Sequence, residues 1–314
     1  MAVTARPAPQ APPPRRMTLS SVRTGTRPAP RRTQVAGVEG CGKSTFAADA
    51  PNPIFIAAED GIRHLNVASF PEPQTFGDVM EAVRTLLEED HDFKTLVIDT
   101  VDWIEPLIWS HLCNVHGWKS IEEPGYGKGY AVALDEWRKL LSELDRLRNA
   151  KGMEIILLAH VTIKTFSNPA GQDFSRYESK LNRSASALIR EWTDANLFAT
   201  FEEFTKKDGA KVKGFSTGRR VLYTQRTAAW DAKNRFGLPD ELPLSYEEFN
   251  AACEAAAPAS ADALRAEAVR LLTELAPDAE KRAQITATIE RAGTDATTLA
   301  KIVDRLRTLV AEKE

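Results

Sequence analysis

A glycine-rich octapeptide near the beginning of the chain limits the possible folds more than any other segment; it reads Gly37-Val38-Glu39-Gly40-Cys41-Gly42-Lys43-Ser44. The end of a short strand, Gln34–Ala36, precedes it, and Ser44–Ala50 has the composition of a helix. A glycine loop between a strand and a helix lets backbone N–H groups and the helix N-terminus surround a phosphate. The chain is therefore expected to contain an α/β sheet with a phosphate site at one edge.

The residues of this loop predict ATP and Mg²⁺ as cofactors. Lys43 is expected to reach the β- and γ-phosphates, and the Ser44 hydroxyl is expected to ligate Mg²⁺. A second motif is the apolar strand Leu96–Ile98 followed by Asp99, whose carboxylate would hold the water shell of the same ion. The predicted nucleotide-binding set is the octapeptide together with Thr45.

Apolar strands alternate with helical segments between residues 34 and 250. The predicted strands are Pro53–Ala58, Thr95–Asp99 and Glu154–Ala159, with shorter ones at Ala195–Phe201 and Arg219–Thr224. Apolar residues at helical spacing predict helices at Phe76–Glu89 and Tyr130–Ala150. Such continuous apolar strands are typical of a mostly parallel sheet that helices cover on both faces.

Composition divides the chain into four predicted parts. Residues 1–33 contain seven Arg, several Pro and no acidic residue, which predicts a largely disordered segment. Two alternatives remain for it, a basic arm that contacts phosphates and a short edge strand at Thr18–Val22. Residues 34–250 form the predicted core, 251–261 a small-residue linker, and 262–314 a helical module whose helices break at Pro277 and Gly293.

The overall charge and the cysteine content restrict the class of protein. The net charge is −3, so any nucleic-acid binding must come from local basic patches. The three Cys are widely separated, which indicates free thiols in a reducing compartment. Because no apolar run approaches the roughly 20 residues of a membrane span, we expect no membrane association and a cytoplasmic location in a bacterial host cell.

Hydrolysis of ATP needs a group that orients or activates the attacking water. Glu59, Asp102 and Glu105 follow strand ends near the phosphate loop, and their spacing alone does not choose among them. His160 ends the third predicted strand, so that it also faces the crevice and is positioned to contact the γ-phosphate.

The order of these residues resembles the RecA-like branch of P-loop ATPases, and more closely the phage ATP-binding proteins of the Sak-type single-strand annealing group. The resemblance extends over about residues 18–250 and depends on four stretches: IDTVDWIEP (98–106), GYGKGYAVALDEW (125–137), LLAH (157–160) and AKNRFGLP (232–239). It implies a RecA-like P-loop NTPase core with a mostly parallel sheet flanked by helices, to which the small C-terminal helical module is added.

The resemblance also implies catalytic roles. Glu59 matches the residue that activates water, and His160 stands where recombinases usually have Gln, at the position that couples the γ-phosphate to bound DNA. Lys233 and Arg235 match a Lys-Asn-Lys-like segment that reaches the ATP of a neighbouring subunit, where an Arg stabilises γ-phosphate charge. Residues that act in trans imply a homo-oligomer, either a ring or a filament.

Two loops are predicted to bind DNA because they carry basic residues beside aromatic ones, a combination that suits single strands. The first is His116–Gly129, with candidate contacts Lys119, Tyr126 and Lys128. The second is Val161–Lys180, with candidate contacts Lys164, Phe166, Arg176, Tyr177 and Lys180.

Together with the resemblance, the phosphate site and the two loops predict a DNA-dependent ATPase that binds single-stranded DNA and promotes annealing or strand exchange in phage-type recombination. A nucleotide-gated scaffold that loads DNA onto a partner such as a single-strand binding protein is a second hypothesis. A small-molecule phosphotransferase is a third, disfavoured because no compact Arg cluster for a lid follows the third strand.

Overall fold

The computed structural model describes residues 17–22, 29–169, 171–208, 211–257 and 259–312, with the backbone alone at 20, 205–208 and 211–214. The chain divides into two compact units: Ala29–Ala257 is one, and Pro258–Glu314 together with Met1–Pro28 is the other. Most of the predicted N-terminal segment 1–33 lies outside the described residues. Within it, Leu19–Ser21 forms a single 3-10 turn, so the predicted edge strand at Thr18–Val22 is wrong.

The first unit is built on one sheet. Its strands, in chain order, are β1 Arg32–Gly37, β2 Pro53–Ala57, β3 Ala68–Ser69, β4 Thr95–Asp99, β5 Glu154–Phe166, β6 Phe174–Ser179, β7 Ala195–Asp208, β8 Lys211–Tyr223, β9 Lys233–Asn234 and β10 Glu241–Pro243. Its helices are α1 Lys43–Ala48, α2 Phe76–Glu88, α3 Val101–His116, α4 Lys128–Lys151, α5 Arg183–Trp192 and α6 Tyr246–Ala256.

The strand that enters the glycine loop lies at the centre of the sheet. The strand order is β10-β8-β7-β1-β5-β4-β2-β3, with β6 paired to β5 and β9 paired to β7. β1 is parallel to β5 and β7, and β4 is parallel to β5 and β2, whereas β8 and β10 are antiparallel additions. The mixed α/β fold with a mostly parallel central sheet is the predicted fold class, and the carboxyl ends of its parallel strands share one edge.

Apolar side chains cover both faces of this sheet. On one face, Trp137 and Leu144 of α4 pack with the helices α2 and α3 over β4 and β5. On the other face, Phe46 of α1 packs on Phe249 of α6, with ring centroids 5.9 Å apart. Truncating a buried aromatic residue of this size to Ala costs about 3–5 kcal/mol. Packing of such residues on both faces makes the sheet a stable base for the loops at its edge.

Two predicted boundaries are corrected by the structure. The predicted loop Val161–Lys180 is mostly a hairpin, because β5 continues through Phe166 and pairs in antiparallel fashion with β6. The predicted linker 251–261 is shorter than expected, since α6 extends to Ala256 and buries Cys253 in the core.

The second unit contains the helices α7 Ala261–Leu275, α8 Ala279–Ala292 and α9 Ala296–Ala311. Asp278 and Asp295 cap the N-termini of α8 and α9 by accepting backbone N–H groups. Apolar residues of the three helices form a core of their own, to which Leu271, Leu299 and Leu306 contribute. In the described part of the chain, no helix is long and apolar enough to span a membrane.

Candidate nucleotide-binding site

The glycine loop follows β1 directly and leads into α1. Gly37 lies so close to β7 that a Cβ there would collide with the carbonyl oxygen of Ala199, which also accepts the N–H of Val38 at 3.2 Å. Gly42 has φ +106°, a backbone conformation that residues with side chains rarely adopt. These two glycines let the loop curl over the end of the sheet and keep its backbone open to a ligand.

Lys43 lies inside this loop. Its side chain is buried, and Nζ donates to the carbonyl oxygens of Gly37 at 3.1 Å and Val38 at 3.0 Å. An ammonium group held among backbone atoms of a glycine loop is positioned to bind the phosphates of a nucleotide.

Ser44 and Asp99 form a hydroxyl–carboxylate pair beside Lys43. Ser44 Oγ donates to Asp99 Oδ2 at 2.6 Å, and Asp99 Oδ1 is buried without a hydrogen-bond partner in the described chain. Burial raises the pKa of Asp99, while Ser44 and Lys43 oppose the shift. Hydroxyl and carboxylate oxygens are ligands that suit Mg²⁺, and the spare oxygen fits a water of its shell. The residues present therefore fit the predicted metal.

Three ionisable side chains lie close together beyond Asp99. Asp102 accepts the backbone N–H of His160 at 2.8 Å, and its other oxygen is 2.8 Å from His160 Nδ1. His160 Nε2 then points toward Glu59, with Oε1 3.8 Å away. Burial raises the pKa of Asp102, but the hydrogen bonds from His160 outweigh it and leave that pKa lowered. Asp102 is thus ionised and holds the imidazole in one orientation.

Glu59 has the surroundings of a proton acceptor. Its side chain is 24% exposed, so water reaches it. Burial raises the pKa of Glu59, the His160 side chain opposes the shift, and the carboxylates of Asp99 and Asp102 add to it. A raised pKa in a crevice favours acceptance of a proton near neutral pH.

Glu105 belongs to a different environment. It is buried in α3, Oε2 accepts the N–H of Asn182 at 2.9 Å, and desolvation raises its pKa to about 7. Because Glu105 anchors the beginning of α5 and Asp102 is engaged by His160, Glu59 is the carboxylate of the three that remains open to water.

The prediction that His160 ends the third strand is wrong, because β5 continues to Phe166. Register places His160 beside Gly37, at the point where β5 leaves β1 and continues into the hairpin. This position fits the prediction that His160 faces the crevice. The imidazole lies at the base of the β5–β6 hairpin, not at the end of a strand.

An ion pair joins the hairpin to the phosphate loop. Lys180, which follows β6, donates from Nζ to Glu39 Oε1 at 2.7 Å, and its backbone N–H donates to the carbonyl of His160 at 3.0 Å. The Lys180 ammonium lowers the pKa of Glu39, and Glu39 raises the pKa of Lys180. Lys180 was predicted to contact DNA, yet it lies at the nucleotide loop.

Arg220 was missed by the sequence analysis. It lies near the end of β8, and a Cβ on Gly42 would come within 2.9 Å of its Nη1. Its guanidinium lies over the ring of Phe201, 6.0 Å from the centroid, and forms no ion pair with the described residues. Neighbouring Arg219, by contrast, pairs with Glu202 and Glu241. The structure therefore places beside the phosphate loop a cation that has no ion-pair partner among the described residues.

The residues predicted to bind DNA divide into exposed and buried ones. Lys164 is exposed on the hairpin, and Lys119, Tyr126 and Lys128 are exposed around the turn between α3 and α4. Phe166 and Tyr177 are half-buried. Arg176 is only 4% exposed and pairs with Asp231 at 2.7 Å, so the expectation that it reaches out to DNA is corrected by its burial.

Lys233 and Arg235 lie far from the phosphate loop of their own chain. β9 pairs with Ala195 at the start of β7, whereas Gly37 is level with Ala199 further along that strand. Lys233 Nζ donates to the carbonyl of Thr193 at 2.8 Å, and Arg235 contacts Asp194 at 3.2 Å. Lys233 is thus engaged within the chain, while the side chain of Arg235 is 54% exposed.

The central sheet, the glycine loop with its buried Lys and the Ser44–Asp99 pair define a P-loop protein of the ATPase class. A family model described as an AAA domain matches residues 29–236, nearly the whole sheet-forming unit. The chain belongs to this family of P-loop AAA-type ATPases. No curated protein matches the chain.

Proposed function

We propose that this protein binds Mg·ATP at Gly37–Ser44 and hydrolyses it with Glu59 as the residue that activates water. The observation that carries the proposal is the arrangement of Glu59, His160 and Asp102 beside Lys43 and the Ser44–Asp99 pair. Bound Mg²⁺ would neutralise phosphate charge, and Ser44 with Asp99 would hold it.

His160 has a positioning role in this proposal. Because Asp102 accepts from Nδ1–H, Nε2 is left as the imidazole atom that faces Glu59 and the crevice. The 3.8 Å separation of Nε2 and Glu59 Oε1 is longer than a hydrogen bond and leaves both atoms able to contact one water. Loss of that water's proton to Glu59 would begin the attack on the γ-phosphate.

The finer proposal is that single-stranded DNA stimulates this ATPase and that the protein anneals or exchanges strands, as the Sak-type resemblance implies. Exposed Lys164, Lys119 and Lys128 with exposed Tyr126 support it, because cations follow the backbone and rings stack on bases. Arg235, exposed and distant from its own phosphate loop, supports assembly into a ring or filament with action on a neighbour's nucleotide.

ATP turnover measured with and without single-stranded DNA tests this proposal. We expect turnover to rise with the single strand, to rise less with a duplex, and to lose its stimulation as salt increases, because phosphate contacts are salt-sensitive. An annealing assay with complementary labelled strands should follow the same salt dependence. ATP turnover that is the same with and without the strand would reject DNA coupling. Turnover that requires a small acceptor molecule would indicate a phosphotransferase. ATP binding without turnover would indicate a scaffold.

Arg220 should strengthen nucleotide binding from within the same chain. Arg220→Ala removes a charge beside Gly42, and a charge-assisted contact is worth about 1.5–3 kcal/mol, so we expect ATP affinity to fall about tenfold or more. Arg219→Ala is the matched control, because Arg219 is the neighbouring Arg but pairs with Glu202 and Glu241. Titration with a fluorescent ATP analogue checks this; equal affinities for the two variants would contradict it.

A further inference from the structure

A cavity of about 750 Å³ opens on the sheet face opposite α1. The hairpin β5–β6, helix α5, the strands β1 and β7, and the segment 226–232 enclose it. Its size falls within the range of about 300–1,000 Å³ that small-molecule pockets occupy. No residue of the proposed nucleotide loop lines it, so it is a separate site.

The floor of the cavity carries two buried amides. Gln34 of β1 is 2% exposed and Asn196 of β7 is 5% exposed, and both line the cavity. Neither side chain makes a hydrogen bond with any residue that the structure describes. Because both amides line the cavity, they are free to exchange hydrogen bonds with water or with a ligand that donates and accepts them.

One carboxylate on the wall of the cavity contacts three guanidinium groups. Asp231 contacts Nη2 of Arg176 at 2.7 Å, Nη1 of Arg190 at 2.8 Å and Nε of Arg226 at 3.3 Å. One carboxylate cannot neutralise three guanidinium groups. Nε and Nη2 of the buried Arg176 make no hydrogen bond in the described chain, since the contact of Nη2 with Asp231 has the distance of an ion pair but not the angles of a hydrogen bond. Lys164 and Arg183 add positive charge at the lining, and Glu178 adds one negative charge. This side of the cavity is therefore suited to an anion such as a phosphate.

Aromatic rings complete the lining. Phe166 lies under the Arg176 guanidinium, which is 5.2 Å from its centroid, and Tyr177 packs on Phe198 at 5.0 Å between centroids. Planar rings and arginines bind flat heterocycles by stacking, and amides bind the polar edges of such heterocycles.

We propose that this cavity binds one nucleotide, with its base directed to Gln34 and Asn196 and its phosphate to the arginines around Asp231. The chemistry is the same for a free nucleoside monophosphate and for one nucleotide of a single strand. In the second case the inference rests on the proposed DNA function, and it identifies where one unit of the strand is held.

Fluorescence anisotropy with the full chain and a labelled single-stranded oligonucleotide tests the proposal. The variants are Asn196→Leu, which keeps the side-chain size but removes the amide, and Arg226→Ala, whose side chain is 66% exposed and is removable without disturbing the core. We expect each to weaken binding about fivefold or more, as loss of a base or phosphate contact does. Arg219→Ala, an Arg of the same unit that also pairs with carboxylates but lies outside the cavity, should bind like the unchanged protein.

Competition with an unlabelled deoxynucleoside monophosphate separates the two sources of the ligand. Displacement of the strand by the free nucleotide, weaker in both variants, would support a pocket that accepts either. Strand binding equal in Asn196→Leu, Arg226→Ala and Arg219→Ala would overturn the pocket and leave the DNA function standing. Absence of strand binding together with variant-sensitive binding of the free nucleotide, measured by calorimetry, would support the pocket and reject the DNA function. Binding of neither probe would overturn both.

A crosslinking measurement on the unchanged protein tests the same site without using variants that could misfold. A strand that carries 5-bromodeoxyuridine should, on irradiation of the unchanged protein, crosslink to peptides that contain Phe166, Tyr177 or Phe198. Crosslinks confined to peptides of the α3–α4 turn would overturn the proposal.

Discussion

Lys43→Ala should remove nucleotide binding and, with it, ATP turnover. Nζ is buried and bonded to two loop carbonyls, so the ammonium is fixed where phosphate charge would accumulate. Truncating one partner of a buried charge pair costs about 2–5 kcal/mol, and each 1.4 kcal/mol lowers affinity about tenfold. Calorimetric titration with ATP and Mg²⁺ measures the loss.

A matched control for Lys43→Ala is Lys151→Ala. Lys151 ends α4 and donates to the carbonyl of Glu89, remote from the phosphate loop. Its removal should leave ATP affinity unchanged. A thermal melt of both variants without nucleotide separates loss of the fold from loss of the site. ATP affinity that survives Lys43→Ala in a folded protein would refute the assignment of the phosphate site.

Glu59→Gln should leave ATP binding nearly intact and reduce turnover by about 10²–10⁴-fold, the usual contribution of a general base. The amide keeps the size of the side chain but does not accept a proton from water. Asp60→Asn is the matched control, because Asp60 is the next residue and pairs with exposed Arg63. Single-turnover kinetics with saturating ATP measures both. Equal turnover in the two variants would show that Glu59 is not the base.

The pH profile of turnover provides a second readout for Glu59. A base acts in its ionised form, so turnover should rise as pH increases through the Glu59 pKa. Burial and the carboxylates of Asp99 and Asp102 raise that pKa above 4.5, against the opposing effect of His160 and Lys43. The acid limb should therefore lie above the range of an ordinary Glu and should be absent from Glu59→Gln.

The sheet and the phosphate loop were predictable because their signals are local. Apolar strands, helical spacing and the octapeptide each occupy a short stretch of chain, and parallel order brings the strand ends that carry Asp99 and Glu59 to one edge. The hairpin also has a local sequence signal, although the segment is predicted above as a loop. Alternating residues of 161–166 and 174–179 flank Asn168, Pro169 and Gly171, which is typical turn composition.

Other parts of the site depend on pairing between distant segments. Arg220 reaches Gly42 only because β8 folds back on β7, and nothing in the residues around it indicates a phosphate loop some 180 positions earlier. Arg176 was predicted to contact DNA because it is basic and lies beside an aromatic residue in the predicted loop Val161–Lys180. Asp231, more than fifty residues further on, draws it into the interior together with Arg190 and Arg226. Sequence patterns detect residue types, whereas these contacts depend on which distant segments pair: β8 with β7 in the first case, and residue 230 with Tyr177 of β6 in the second.

Strand β6 has a consequence for thermodynamic linkage. One end of β6 is followed by Lys180, which contacts Glu39 of the phosphate loop, and its middle supplies Arg176 and Tyr177 to the cavity. If ATP draws Lys180 away from Glu39 and thereby changes the affinity of the cavity for a nucleotide by some factor, the cavity ligand must change the affinity for ATP by the same factor. Titrating ATP before the cavity ligand, or the cavity ligand before ATP, would then yield the same coupling free energy. Strand β6 would be the element that connects the two sites.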